Sequence, residues 1–411
     1  MASPASGPAL FGAVTPFTLR WTVRAVAAVF IALLVATFID LGQPAHRTIF
    51  GVPLGGDYVA IRTGAELLEG AYDVEAFQKE LMALDSGRFL QLTWQYPPTY
   101  FLFIAWIAFL PYAAGYAAWA AANYAVYAAA ARPLAPPGWG LALLSAPPVF
   151  TCIAAGQNGL AIAGLLLVAG MNPGTRPVLA GLAAGLLTVK PHFGILIPLL
   201  WAACGYWRAI LFAGATTGWL IILSVVFFGV EPWTMFWARL FETGAGVGDG
   251  YYPYNKMITA LSAAKLLWAP TSLAMGVQVL STLFAAGSAL LVWKRCGVRE
   301  TRAAALMLAA LLAAPYGYTY DLPVAALALA LVAKRAIRTE PLKWEWETIA
   351  ILWIVSAGIP SLQAATELPF SFAALVAAYW LVLRRAAHDA GGSLLKLKLP
   401  RFTRPASGLP A

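Results

Sequence analysis

Apolar residues fill the chain in long runs broken by short polar or proline-rich passages, a scale of alternation that fits helices crossing a bilayer. The first run is Trp21 to Leu41, and the last gives way to a basic tail at Arg384. Together the runs predict an all-α chain with about 10 to 13 transmembrane segments. Tyr100 to Ala131 crosses once with a kink or twice, because Pro111 and Gly115 interrupt it. Runs such as 177 to 188 and 303 to 314 are shorter than the roughly 20 residues of a full crossing, so they are expected to border a cavity.

One passage has a different period. Tyr58, Ile61, Ala65 and Leu68 follow a three-four-three spacing, and Gly70 stands where a helix takes a left-handed cap. Val74, Phe77, Leu81 and Leu84 repeat the spacing. Two amphipathic helices on the outer membrane surface are expected here, with Glu66, Glu69, Glu75 and Glu80 on their wet faces. Seven of the chain's 18 acidic residues fall between Asp57 and Asp85, and these helices account for most of them. Asp57 stands apart. It follows two glycines and precedes the first helix, where it either caps that helix or performs chemistry. The two roles are compatible, since a cap uses one carboxylate oxygen.

Composition identifies the solvent. With 61% hydrophobic residues, 11% charged residues and a mean hydropathy of +0.74, the 411 residues describe a polytopic integral membrane protein. Arg208, the group Lys294, Arg295, Arg299 and Arg302, the group Lys334, Arg335, Arg338 and Lys343, and the tail from Arg384 to Arg404 all fall on one side when spans are counted back from a cytoplasmic carboxyl terminus. The net charge of +9 therefore reflects topology and contact with anionic membrane lipids, with no nucleic-acid partner implied. The same count makes external a loop at 42–97, a second at 230–265, and the turns near 156–159, 190–192, 315–320 and 361–369. Residues 1–20 form a cytoplasmic tail, 21–385 the membrane domain and 386–411 a basic cytoplasmic tail. Cys152, Cys204 and Cys296 read as small core residues, since they are odd in number and scattered through apolar runs.

The polar motifs collect on the external side. "TWQYPPTYFLF" (93–103) brings Trp94, Tyr96 and Tyr100 around a proline pair that starts a span, as an interfacial collar or a sugar-stacking surface. "AAGQNGLA" (154–161) places Gln157 and Asn158 between apolar helices, for interhelical hydrogen bonds or for a ligand. "LLTVKPHFG" (186–194) holds Lys190 and His192, and a lysine at such depth needs an anionic ligand or a partner such as Asp57 or Asp321. "APYGYTYDLP" (314–323) clusters Tyr316, Tyr318 and Tyr320 with Asp321. The aromatic, glycine-rich run "GAGVGDGYYPYNK" (244–256) is either a mobile flap or an ordinary loop.

In order and spacing, "GGDY", "YPP", "GQN", "KP" and the late tyrosine-aspartate cluster resemble the membrane glycosyltransferases of family 87, over roughly residues 20 to 335. The resemblance implies a GT-C-type helical bundle in the bacterial inner (plasma) membrane with its active site facing the periplasm or cell exterior. It implies inverting transfer of a sugar, typically mannose, from a polyprenyl-phosphate-linked donor to a lipid or glycan acceptor. The catalytic carboxylate of the first external loop then matches Asp57. Many members carry a Trp and one or two His in the late motif, where this chain has Tyr318, Tyr320 and Asp321.

The chemistry asks for the same parts. Inversion at an anomeric carbon needs a base near the acceptor hydroxyl, a role open to Asp57, and positive charge at the departing phosphate. Lys190, His192 and Arg62 are the candidates for that charge. Trp94, Tyr96, Gln157, Asn158, Tyr318, Tyr320 and Asp321 are candidates to hold sugar or acceptor. No Asp-x-Asp motif occurs, so no metal or other cofactor is expected. A transporter or flippase for an anionic or lipid-linked solute is the competing class; no internal repeat relates the two halves of the chain, and the large polar loop favours an enzyme.

Overall fold

The computed structural model describes residues 55–85, 93–134, 143–246, 253–392 and 394, with five isolated positions between 24 and 32. The expected first span and both chain ends lie almost wholly outside these residues. The described part is helical throughout. Its only β pairing is one isolated antiparallel bridge, Met257 with Tyr318.

Helices α1 (Tyr58–Leu67) and α2 (Val74–Asp85) match the two expected amphipathic segments. They are docked into the bundle more deeply than a surface position implies: Tyr58, Ile61, Phe77 and Leu81 are buried. The turn ending α1 falls at Leu68, with φ 47°, and not at Gly70. Glu69 and Glu75 are exposed as expected, whereas Glu66 is partly buried and pairs with Arg62. Short turns over 98–109 then lead to Pro111, which separates them from α3 (Tyr112–Ala131). The interrupted stretch is thus two helical pieces.

The next helices are α4 (Pro147–Ala155), α5 (Gly159–Met171), α6 (Pro177–Leu186), α7 (Leu196–Ala203) and α8 (Trp207–Phe228). α6 lies close along α8 because Gly181 and Gly185, one turn apart, carry no side chain. A Cβ on Gly181 would stand 2.4 Å from that of Phe212. This is the small-residue spacing by which helices approach in lipid. α9 (Glu231–Gly246) opens the second loop and reaches the first, where Arg239 Nε donates to the Tyr72 carbonyl at 3.3 Å. α10 (Ala260–Leu266) closes that loop.

The core centres on α12 (Arg299–Ala313), in which every residue from Ala303 to Ala313 is buried. Around it pack α5, α11 (Thr271–Arg295), α13 (Pro323–Arg338) and α16 (Phe370–Asp389). The segment expected to border a cavity is therefore the axis of the bundle. Its alanines make it short of apolar bulk, and neighbouring helices supply the rest. α14 (Glu345–Val355) and α15 (Ile359–Thr366) meet at a 62° bend. By length and composition α8, α11 and α16 can each cross a membrane, and the bent pair is either a fourth, broken span or a re-entrant loop. α16 continues past residue 385 to Asp389, which is buried against Arg335. Cys152 and Cys296 are buried and free, and Cys204 is half-buried.

The bundle has two chemically distinct ends. α11 spans about 37 Å at 1.5 Å per residue, starting at Thr271 beside Lys265 and ending in Lys294 and Arg295. α13 runs from the Asp321 turn to Arg335 and Arg338. At the basic end Arg302 donates to the Tyr206 hydroxyl, Arg335 pairs with Asp389, Arg338 with Glu300, and Arg385 with Glu345. Basic groups dispersed through the sequence thus converge, as the topology reading requires. The polar motifs converge at the opposite end.

Candidate active site

Two turns build the floor of this end. Gly55 N donates to Ala154 O at 2.6 Å and Asp57 N to Ala155 O at 3.1 Å, so "GGDY" lies against "AAGQN" backbone to backbone. Gly156 ends α4 in a left-handed turn (φ 74°), and a Cβ there would come within 2.5 Å of Tyr58 Cβ. Only glycine fits both demands. Gly159 lets the late motif approach in the same way, since its Cβ would stand 2.2 Å from the Tyr320 carbonyl oxygen. The indole of Trp119 donates to Gly156 O at 3.0 Å and fixes the turn from below.

Asp57 precedes α1 but makes no side-chain cap to it. Its carboxylate instead accepts from Gln157 Nε2 at 3.4 Å, and Gln157 Oε1 accepts from the Tyr96 hydroxyl at 2.9 Å. Asn158 donates to the Tyr100 hydroxyl at 3.1 Å, while its Oδ1 is buried with no partner among the described residues. Across from these, Lys190 Nζ donates to Asp321 Oδ1 at 2.9 Å and sits 4.8 Å from the centre of the Tyr320 ring. Asp321 Oδ2 accepts from Tyr318 N at 3.0 Å, and the Tyr318 and Tyr320 rings stack at 5.2 Å. Burial pushes the Asp57 carboxyl above the usual carboxylate range. The charge of Lys256 opposes this most, followed by the Gln157 hydrogen bond and Lys190.

The structure therefore joins Asp57, Tyr96, Gln157, Asn158, Lys190, Tyr318, Tyr320 and Asp321 at one end of the bundle. Three candidates stand otherwise. Arg62 donates to the carbonyls of Ile107, Ala108 and Leu110 and pairs with Glu66, so most of its guanidinium donors are taken within the protein. Trp94 is 2% exposed and stacks on Phe101 at 5.5 Å, which makes it a support beneath Tyr96 and Tyr100 rather than a ligand surface. His192 lies over Phe193 and edge-on to Tyr316, beside the cluster. Lys190 has the acidic partner that the motif left open, and that partner is Asp321.

Sequence reading passed over Lys256 and undervalued Tyr100. Lys256 is exposed on a 3-10 turn, Tyr254–Lys256, that is held in place by the Met257–Tyr318 bridge and by Ile258 N donating to Gly317 O at 3.0 Å. The only sign of it in the sequence is a lysine at the end of an aromatic loop. Cavities among the described residues outside the cluster include an apolar one lined by Leu329, Leu352, Trp353 and Leu375, and a mixed one beside the Tyr254–Lys256 turn. Among the described residues no three His, Cys, Asp or Glu side chains are grouped to hold a metal ion.

An all-helical bundle with a carboxylate, amides, tyrosines and lysines gathered at one end has the parts of a membrane-embedded transferase. The model of glycosyltransferase family 87 matches residues 94–315, more than half of the chain, and the protein belongs to that family. The match starts at Trp94 and so includes Tyr96, Gln157, Asn158, Lys190 and Lys256; Asp57 and the Tyr318 to Asp321 turn lie outside it. No curated protein and no solved structure matches the chain. The protein is accordingly a membrane glycosyltransferase, and the carrier alternative gives way to the transferase class.

Proposed function

We propose that the protein transfers a sugar, mannose first among candidates, from a polyprenyl-phosphate donor to a lipid or glycan acceptor at the external membrane face, with inversion and with Asp57 as the base. The observation that carries this reading is the Asp57 carboxylate, which leaves its helix uncapped and accepts instead from Gln157, with the charges of Lys256 and Lys190 acting on it. In this reading Asp57 accepts the proton of the acceptor hydroxyl as that oxygen bonds to the anomeric carbon. The anomeric carbon–oxygen bond to phosphate breaks on the opposite face, and the phosphate departs with the electron pair. Lys190 and Lys256 supply positive charge near that departure. Tyr96, Gln157, Asn158 and Tyr320 meet sugar hydroxyls and ring faces.

The reading places the polar end of the bundle outside an inner (plasma) membrane, with the shorter apolar helices pairing to complete further crossings. The test is transfer of label from polyprenyl-phosphate-mannose into lipid by membranes holding equal folded amounts of wild type and Asp57→Asn. Transfer by wild type that disappears in the variant supports the assignment. Equal transfer by both removes Asp57 from the mechanism.

A further inference from the structure

The mixed cavity beside the Tyr254–Lys256 turn has a volume of about 270 Å³ and is lined by Tyr254, Asn255, Lys265, Trp268 and Glu367 among others. Its backbone sets it apart from ordinary surface. α10 ends at Leu266 and the chain turns through Trp268 at φ 62°; α15 ends at Thr366 and turns through Glu367 at φ 57°. Four non-glycine residues adopt left-handed φ among the described residues, and two of the four line this one cavity. Glycine is the usual occupant of such positions after a helix. Backbone strain of this kind persists where the surrounding structure over-determines it, and it clusters at ligand-binding sites. Trp268 is 89% exposed, so packing does not account for it.

The walls are also fixed in advance. Gln363 Nε2 donates to Asn255 O at 3.1 Å and to Met257 O at 2.7 Å, while its Oε1 accepts from Ser371 N at 2.9 Å. That one buried amide locks the turn to α15. Lys265 Nζ donates to Thr271 Oγ1 at 3.2 Å and lies 5.8 Å from the centre of the Tyr254 ring.

We propose that this cavity is a second sugar-binding subsite, which holds a neutral sugar unit of a glycan acceptor. Trp268 and Tyr254 offer aromatic faces to the C–H side of a sugar ring, whose polarity complements their π clouds. Asn255 and Glu367 offer hydroxyl partners. Lys265 and Glu367 bring opposite formal charges to the lining, so its net charge favours a neutral polyol over a phosphate head group. Met257, two residues on from Asn255, bridges to Tyr318, so the cavity's turn is tied to the late motif of the proposed site. The acceptor role rests on the transferase reading above; the sugar site does not.

The test is saturation-transfer NMR on the purified full-length protein with linear trisaccharides of mannose, glucose and arabinose, run beside the transfer assay. At least one trisaccharide is expected to receive saturation. Trp268→Leu, which keeps an apolar surface, lowers that signal roughly fivefold to tenfold, the scale of one lost ring contact. Trp268→Tyr restores it, and Asp57→Asn leaves it unchanged. Glu367→Gly removes the strained carboxylate, so its melting temperature holds or rises while the signal falls. No signal from any trisaccharide, or equal signal from Trp268→Leu and wild type, overturns the proposal. Transfer abolished by Asp57→Asn alongside a signal indifferent to Trp268 keeps the transferase reading and removes the subsite. A Trp268-dependent signal without transfer by wild type keeps the sugar site and removes the polyprenyl-phosphate-mannose donor reading.

Discussion

Each end of the bundle holds a buried ion pair, and the two pairs are built differently. At the basic end Arg385 donates to both oxygens of Glu345 and also to Thr339 Oγ1 and Glu340 O, with both side chains fully buried. At the other end Lys190 has a single carboxylate contact and an aromatic face. Beside it, among the described residues, the Asp57 carboxylate has one side-chain hydrogen bond, of 3.4 Å, and Asn158 Oδ1 has none. Saturated polar groups rigidify a fold, whereas a buried group short of partners is expected where a ligand completes it. The contrast separates a structural clasp from a site.

Four experiments probe this contrast, in decreasing order of effect. Asp57→Asn is expected to lower transfer by about 10²- to 10⁴-fold, the range of a lost general base, with the unfolding temperature unchanged. A large fall in that temperature instead makes Asp57 part of the scaffold. Arg385→Ala leaves Glu345 buried without a counter-charge and is expected to cost about 3–5 kcal/mol of stability. Transfer per folded molecule stays at the wild-type level, and a specific loss of activity breaks the division between the two ends.

Lys190→Met exposes the same penalty for Asp321 and lowers both stability and transfer. Adding Asp321→Asn recovers most of the stability, because no unpaired charge is left, but not the transfer. Recovery of both properties reduces Lys190–Asp321 to a second clasp. The smallest effect concerns pH. A base works only when deprotonated, and the Asp57 carboxyl lies above the usual carboxylate range, so transfer rises with pH along a limb placed above that of an ordinary aspartate. Lys256→Met removes the strongest influence holding that carboxyl down, and the limb moves to higher pH. A profile from about pH 4 to about pH 8 reads the shift, and an unmoved limb separates Lys256 from Asp57.

The apolar spacing around Tyr58 and Phe77 made α1 and α2 legible, because a buried face imposes its period locally. The gathering of Asp57, Gln157, Lys190 and Asp321 followed from counting loops to one side. Asp321 as a partner of Lys190 was among the alternatives, but the surroundings of Arg62 and Trp94 escaped. Arg62 reads as a cation one turn into a polar helix, yet its acceptors are carbonyls 45 to 48 residues away, set by docking that no local pattern encodes. Trp94 reads as an interfacial aromatic, and the stacking of Phe101, Tyr100 and Tyr96 around it covers it. The positive-φ turn at Leu68, in place of a left-handed cap at Gly70, shows tertiary packing overriding a local preference.

The alanine axis of the bundle makes the molecule's tolerance of change one-sided. Six of the eleven side chains from Ala303 to Ala313 are a single buried methyl, and at those positions there is nothing to trim. Each enlargement must push a neighbouring helix aside, against a close-packed interior that yields poorly. Variation along this helix is thus limited by the volume that its neighbours leave, and diversification of the protein falls to the loops that its rigid axis holds in register.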